Sequence, residues 1–212
     1  CQDKEIDMAN TTFTGPVRSI NGFEQISKNA TTGAITIISG SKMATEALGS
    51  AGIEGTAETY ITQVERFKSD TTTNVNLVKT TLMIDLTGLA SSGADDIIGK
   101  AGTGVAYIGR VTTADTGVVF GVTMECFETP AGGDPDIDLY SATEATGVED
   151  SAIGDLTETQ IINSGDLAAG SRVAGGGIVA DQYLYLVAGS ATNANYTAGR
   201  IVITIHGYDV AS

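Results

Sequence analysis

Three carboxylates stand at alternate positions in Asp134-Pro135-Asp136-Ile137-Asp138. In an extended segment that spacing points them to one side, and hard oxygen ligands so arranged can hold Ca²⁺. The EF-hand pattern fails, because Leu139 stands where its Gly belongs and Ala145 where its closing Glu belongs. Calcium on Asp134, Asp136 and Asp138 therefore competes with a plainer reading, a solvated acidic turn entering a strand. No other cofactor is expected. His206 is the only histidine. It alternates with Ile205 and Gly207, opposite the side of Ile201, Ile203 and Ile205, and has no His or Cys nearby. A surface or interface position is expected rather than a ligand or base. Gly102-Thr103-Gly104 precedes a strand instead of opening a helix, so it is a loop and no dinucleotide cradle. Tyr183, Tyr185, Tyr196 and Tyr208 can line a sugar-binding face by ring stacking, although core and rim packing is the commoner use. Cys126 is expected as a reduced, buried thiol rather than bridged to Cys1. One His and two Cys leave little for acid–base or thiol catalysis, and no spacing among the 26 acids selects a carboxylate pair. The chain is read as a non-enzyme. Asn10-Thr11-Thr12, Asn29-Ala30-Thr31 and Asn195-Tyr196-Thr197 match the N-glycosylation pattern by chance in a chain with 29 Thr.

The elements that must position these residues follow from composition. At 212 residues the chain suits one generous domain, or a compact domain with an extended arm. Such a domain needs no metal or disulfide staple. It has 27 Gly, 3 Pro, no Trp and only 17% charged residues. That mix is poor for long helices and good for strands joined by small-residue turns. The formal charge of −15 is uneven. Residues 1–106 hold 12 acids and 8 bases, residues 107–212 hold 14 acids and 3 bases, and no Lys follows Lys100. A basic groove for phosphates is missing, so nucleic acid is not an expected partner. Anionic membranes would repel the chain, and no apolar run of 18 residues offers a span. The near-neutral half is expected to make contacts and the acidic half to face water. No signal-peptide pattern is visible. Cys1 in first place is compatible with a lipoprotein, with proteolytic maturation, or with a start assigned upstream of Met8-Ala9-Asn10, and the last is favoured.

Residues 1–57 read as an extended arm, docking segment and linker. Asn21-Gly22 and Thr32-Gly33 are turns, and Ala34–Ile38 is a β-branched strand. Residues 41–57, rich in Gly, Ala and Ser, form the linker. Phe13, Pro16, Val17, Phe23, Ile26, Ile35 and Ile37 are the apolar residues with which the arm would grip a neighbour, since it is too poor in large apolar groups for a core. Residues 58–212 read as one β-sandwich. Tyr60–Phe67 fits helix and strand alike, and its Thr and Val content tips it to strand. Strands are expected at Thr80–Leu86, Val105–Val111, Val118–Glu128, Ile137–Tyr140, Thr159–Ile162, Tyr183–Val187 and Arg200–Tyr208. A hairpin turn is expected at Thr113–Gly117 and a long acidic loop at 141–170. The inward faces would be Leu82/Ile84/Leu86, Val118/Phe120/Val122/Met124 and Ile201/Ile203/Ile205. The fold class is all-β, a sandwich with jelly-roll topology the favoured variant.

Met8–Ser19, followed by Gly22-Phe23 and Ile26–Ala34, resembles the opening of structural proteins encoded by marine tailed bacteriophages (cyanophage and pelagiphage type). Asp85–Leu89, Asp96–Lys100, Asp136–Thr143 and Tyr196–Arg200 are similar to the same group. The resemblance implies a virion component and carries over no catalytic residue. The expectation is a capsid decoration or cement protein on the virion exterior, anchored through residues 8–40 on the major capsid protein or another virion protein. A homo-oligomer is expected, a trimer by preference. A tail or fibre-base protein and a carbohydrate-binding module that touches the host surface are the rival readings.

Overall fold

In the computed structural model, the described residues are 26–28, 35–37, 65–68, 75–102, 104–190 and 194–210. The chain divides into two units, Cys1–Ser39 and Gly40–Ser212. In the first, β1 (Ile26–Lys28) and β2 (Ile35–Ile37) form an antiparallel pair with Ile26 opposite Ile37 and Lys28 opposite Ile35. Phe13, Pro16, Val17 and Phe23, both predicted turns and the 41–57 linker lie outside the described residues.

In chain order the second unit contains β3 (Glu65–Lys68), β4 (Val75–Asp85), β5 (Ala90–Ser91), β6 (Gly109–Arg110), β7 (Val118–Ala131), β8 (Ile137–Ala142), β9 (Glu158–Ile162), β10 (Arg172–Gly175), β11 (Tyr183–Ala188), β12 (Ala194–Asn195) and β13 (Ala198–Val210). The architecture is all-β. A five-stranded antiparallel sheet has the order β10-β7-β13-β4-β3, a four-stranded one the order β6-β11-β8-β9, and β12 pairs with β5. The pairings are nested. β8 lies beside β9, β7 beside β10, β6 beside β11, β5 beside β12 and β4 beside β13. The second unit is thus one long antiparallel ribbon, folded over so that its main pairs fall alternately in the two sheets.

Strand alternation explains the core. Leu82 and Ile84 from β4, Val122 and Met124 from β7, and Ile201, Ile203 and Ile205 from β13 are buried against Leu139, Leu184 and Leu186 of the other sheet. Each such side chain, fully buried, stabilises by about 1.5–3 kcal/mol. β8 is buried along its whole length, and only Tyr183 of β11 is half-exposed. Their outward residues Tyr140, Ala142, Tyr185 and Val187 form a second apolar cluster with Ile97, Ala106 and Ile153. The segments around 92–108 and 143–157 therefore act as a covering layer. The predicted acidic loop is part of this cover, held by Ile153 and by Leu156 at its rim.

Three expectations are corrected. Val118 and Phe120 do not face inward, being 48% and 57% exposed, whereas Val119 is buried. His206 pairs with Gly121 and Gly207 with Val119, so Phe120 is an extra residue. This bulge flips the alternation of β7 near its start. Thr113–Gly117 is not a hairpin turn, because β6 and β7 belong to different sheets. It is one helical turn, α1 (Thr113–Thr116), where Thr112 Oγ1 accepts from Asp115 N–H at 3.2 Å. Val105–Val111 is a strand only at Gly109–Arg110, and Val105 makes an isolated bridge to Val148.

The close seat of α1 on β13 needs glycine, since a Cβ on Gly207 would strike Thr116 O, whereas one on Gly121 would meet nothing within 4 Å. Gly207→Ala is expected to destabilise by about 3 kcal/mol, as overpacking against backbone does. Gly121→Ala should stay within about 0.5 kcal/mol of the parent. Urea denaturation midpoints of the two variants check this.

Candidate functional site

The acidic turn between β7 and β8 is built as a set of braces. Asp134 is fully buried. Its Oδ1 accepts from Asp136 N–H at 3.0 Å, and its Oδ2 accepts from Ser190 N–H at 2.8 Å and Ser190 Oγ at 2.6 Å. Tyr196 closes the turn from below, its hydroxyl donating to Asp134 O at 2.9 Å. Asp138 accepts from Gln160 Nε2 at 2.7 Å and from Ser164 N–H at 2.8 Å. Asp136 alone keeps a buried oxygen, Oδ1, without a hydrogen-bond partner. Burial pushes its carboxyl above the usual range, and Asp138, Asp134 and Asp166 add to the effect. The oxygens of Asp134 and Asp138 are thus occupied by N–H and O–H donors. Among the described residues no group of three His, Cys, Asp or Glu side chains is placed to hold a metal.

The four tyrosines do not share a face; Tyr185 and Tyr196 pack in the interior and Tyr183 at the rim, the commoner use, rather than forming one stacking surface. Tyr185 lies in the covered cluster, donates its hydroxyl to Glu144 O at 2.7 Å and accepts from Gly147 N–H at 3.3 Å. Burial pushes its phenol up to about 12. Tyr196 is buried under Asp134, and burial raises its phenol as well. Tyr183 stands at the rim, edge-on to Tyr107 with ring centres 5.0 Å apart and the Arg110 guanidinium 5.4 Å from its own centre. Tyr208 belongs to the opposite sheet. Alternation along β11 does put Tyr183 and Tyr185 on one side, but the covering segments occupy it. Cys126 is a free, buried thiol that donates to Glu128 O at 3.3 Å, and burial raises its pKa. A thiol in that state is a poor nucleophile.

The outer face of the five-stranded sheet carries what the alternation rule hides. Register sets Leu77, Tyr208 and Val118 in a row across β4, β13 and β7. Leu77 is 47% exposed, and Phe120 stands outward beside Val118. The Phe120 ring centre lies 6.2 Å from His206 and 6.5 Å from Tyr208. His206 is therefore a surface residue within an aromatic group, as its alternation predicts. The opposite end of the same face is charged. Arg200 Nε lies 3.4 Å from Asp85 and 3.7 Å from Glu128, and Arg172 Nε lies 3.0 Å from Glu125. Exposed pairs of this kind add little to stability. The apolar end is the larger anomaly, since a clustered exposed patch marks an interaction surface more often than scattered single residues do. The pair Phe120-Gly121, a bulky residue before a Gly inside a strand pattern, is the sequence signal that identifies it.

A pKa raised on folding acts on stability with a definite sign. With its carboxyl pushed up on folding, Asp136 makes the folded chain take up a proton more readily than the unfolded one. Stability from this group is greatest in acid and is lost as pH rises through the folded value. Asp136→Asn is expected to raise the thermal midpoint at pH 7 and to flatten its pH dependence across the mildly acidic range. Thermal melts of both proteins from pH 4 to 7 check this. Compared with known protein families, with curated proteins and with solved structures, the chain finds no match.

Proposed function

We propose that this chain is a non-enzymatic structural protein of a bacteriophage virion, a capsid decoration protein that binds the shell through its N-terminal unit. One observation carries the reading. The sandwich of the second unit closes two apolar clusters from its own residues, whereas the described part of the first unit is a pair of three-residue strands. An isolated two-stranded hairpin is marginal in water and gains stability by adding to another sheet or packing on a neighbour. The sequence resemblance covers this same N-terminal stretch. Charge supports an outward orientation for the acidic half, because a surface with three bases in residues 107–212 suits solvent better than packaged DNA.

In this reading Ile26, Ile35 and Ile37, together with Phe13, Pro16, Val17 and Phe23, grip the major capsid protein or an adjacent copy. The sandwich projects from the shell and assembles with its copies, as a trimer in the simplest arrangement. The row of Leu77, Val118, Phe120 and Tyr208 supplies a surface for that assembly. The nested strand order supports the jelly-roll variant of the sandwich, in which a folded antiparallel ribbon generates both sheets.

The test is reconstitution. Purified full-length chain mixed with genome-free shells is expected to co-sediment in lattice-scale copy number. A chain lacking residues 1–39 is expected to stay soluble and folded yet fail to sediment with shells. Full binding by the truncated chain refutes the anchoring role. Separately, Phe120→Asp should leave the thermal midpoint unchanged while reducing self-association in analytical ultracentrifugation.

A further inference from the structure

A second bulge in β7 creates a groove that none of the preceding arguments uses. Ile201 pairs with Cys126 and Arg200 with Glu128, which leaves Phe127 unpaired. Its ring turns to solvent and is 63% exposed. The neighbouring strand β10 sets Arg172 opposite Glu125, guanidinium Nε to carboxylate at 3.0 Å. The turn before β10 is pinned by two main-chain bonds and one to a side-chain hydroxyl. Gly170 N–H donates to Cys126 O at 2.8 Å, Cys126 N–H to Ser171 O at 3.0 Å, and Ala169 N–H to Thr129 Oγ1 at 2.9 Å. The outcome is an open groove of ≈ 340 Å³ lined by Glu125, Cys126, Phe127, Gly170, Ser171 and Arg172. Its main-chain floor is fixed by these hydrogen bonds, while the side chains of Phe127 and Arg172 stand exposed above it.

The chemistry of the lining selects a class of ligand. A flat, exposed phenyl ring favours a partner with one apolar face, which the C–H face of a pyranose provides. Arg172 and Glu125 neutralise one another, so the groove is not an anion trap. Side by side they offer N–H donors and carboxylate acceptors, the complement of two neighbouring hydroxyls. The Ser171 hydroxyl adds one more donor at the rim. The volume lies in the range of small-ligand sites. We propose that the groove between β7 and β10 binds a neutral hexose unit of a glycan, with the sugar ring stacked on Phe127 and two hydroxyls held by Arg172 and Glu125. The site lies apart from Tyr183, Tyr185 and Tyr196. It does not depend on the N-terminal unit, so it stands or falls separately from shell binding.

The experiment uses the full chain and a panel of glucose, galactose, mannose and N-acetylglucosamine with their short oligomers. Saturable amide shifts centred on residues 125–127 and 170–172 are expected in NMR titration, with Kd on the order of millimolar for a single sugar. Phe127→Ala and Arg172→Gln should each weaken binding about tenfold or more, while Phe127→Tyr retains it. Thermal midpoints should be unchanged, because both side chains are exposed. No saturable shift with any sugar at tens of millimolar overturns the proposal. So does binding that survives both substitutions undiminished.

Discussion

Two strands at the middle of the four-stranded sheet carry apolar side chains on both faces, and this single demand organises the second unit. A strand with one apolar face needs one partner sheet. β8 and β11 need cover on both sides, because Leu139, Leu184 and Leu186 point one way while Tyr140, Tyr185 and Val187 point the other. The five-stranded sheet satisfies the first side. The second is satisfied by segments with almost no regular structure of their own, which turns an acidic loop into a structural layer. Tyr185 shows how tightly the layer is fastened, since its hydroxyl joins Glu144 and Gly147 from the covering segment. A Cβ on Gly147 would already crowd both that ring and Ile97.

The two outer faces are therefore unlike. One is sealed by the chain itself. The other shows an aromatic and aliphatic end and a charged end to solvent. Exposed apolar surface of this kind is tolerated where another molecule covers it for part of the time. This asymmetry, more than any individual residue, supports the proposal that the molecule works within an assembly. The bulge at Phe120 contributes, since it turns outward a phenyl ring that strict alternation would have buried.

The parts of the fold legible in the sequence are those where alternation runs unbroken. Leu82 and Ile84 are buried where Thr81 and Met83 are half-buried, and Ile201, Ile203 and Ile205 enter the core cluster while Val202, although buried too, does not, as the period-two rule requires of the inward face. The rule fails at Phe120 because an added residue resets the phase, and a bulge announces itself only by a neighbouring Gly. β10 escaped notice because Arg172-Val173-Ala174-Gly175 carries one large apolar residue. The covering role of residues 143–157 was hidden by composition, as Ile153 and Leu156 are two anchors among many acids. The acidic turn was legible as a cluster but not as braces, since the donors Ser164 and Ser190 come from distant positions in the chain. Of the residues given to the arm, only Ile26, Ile35 and Ile37 fall on described strands.

The nested ribbon also sets an order of events. β8 and β9 are joined by the shortest connection of any nested pair, and each outer pair spans a longer stretch of chain, up to Val75 beside Val210. Loop closure disfavours the outer pairs until the inner ones have drawn them together. Yet β13, which follows both of its partners in the chain, is the central strand of the five-stranded sheet, flanked by β7 and β4. Until β13 is in place, the sheet lies in two pieces with raw edges at β7 and β4. Such a chain is open to wrong pairings until β13 slides into the gap.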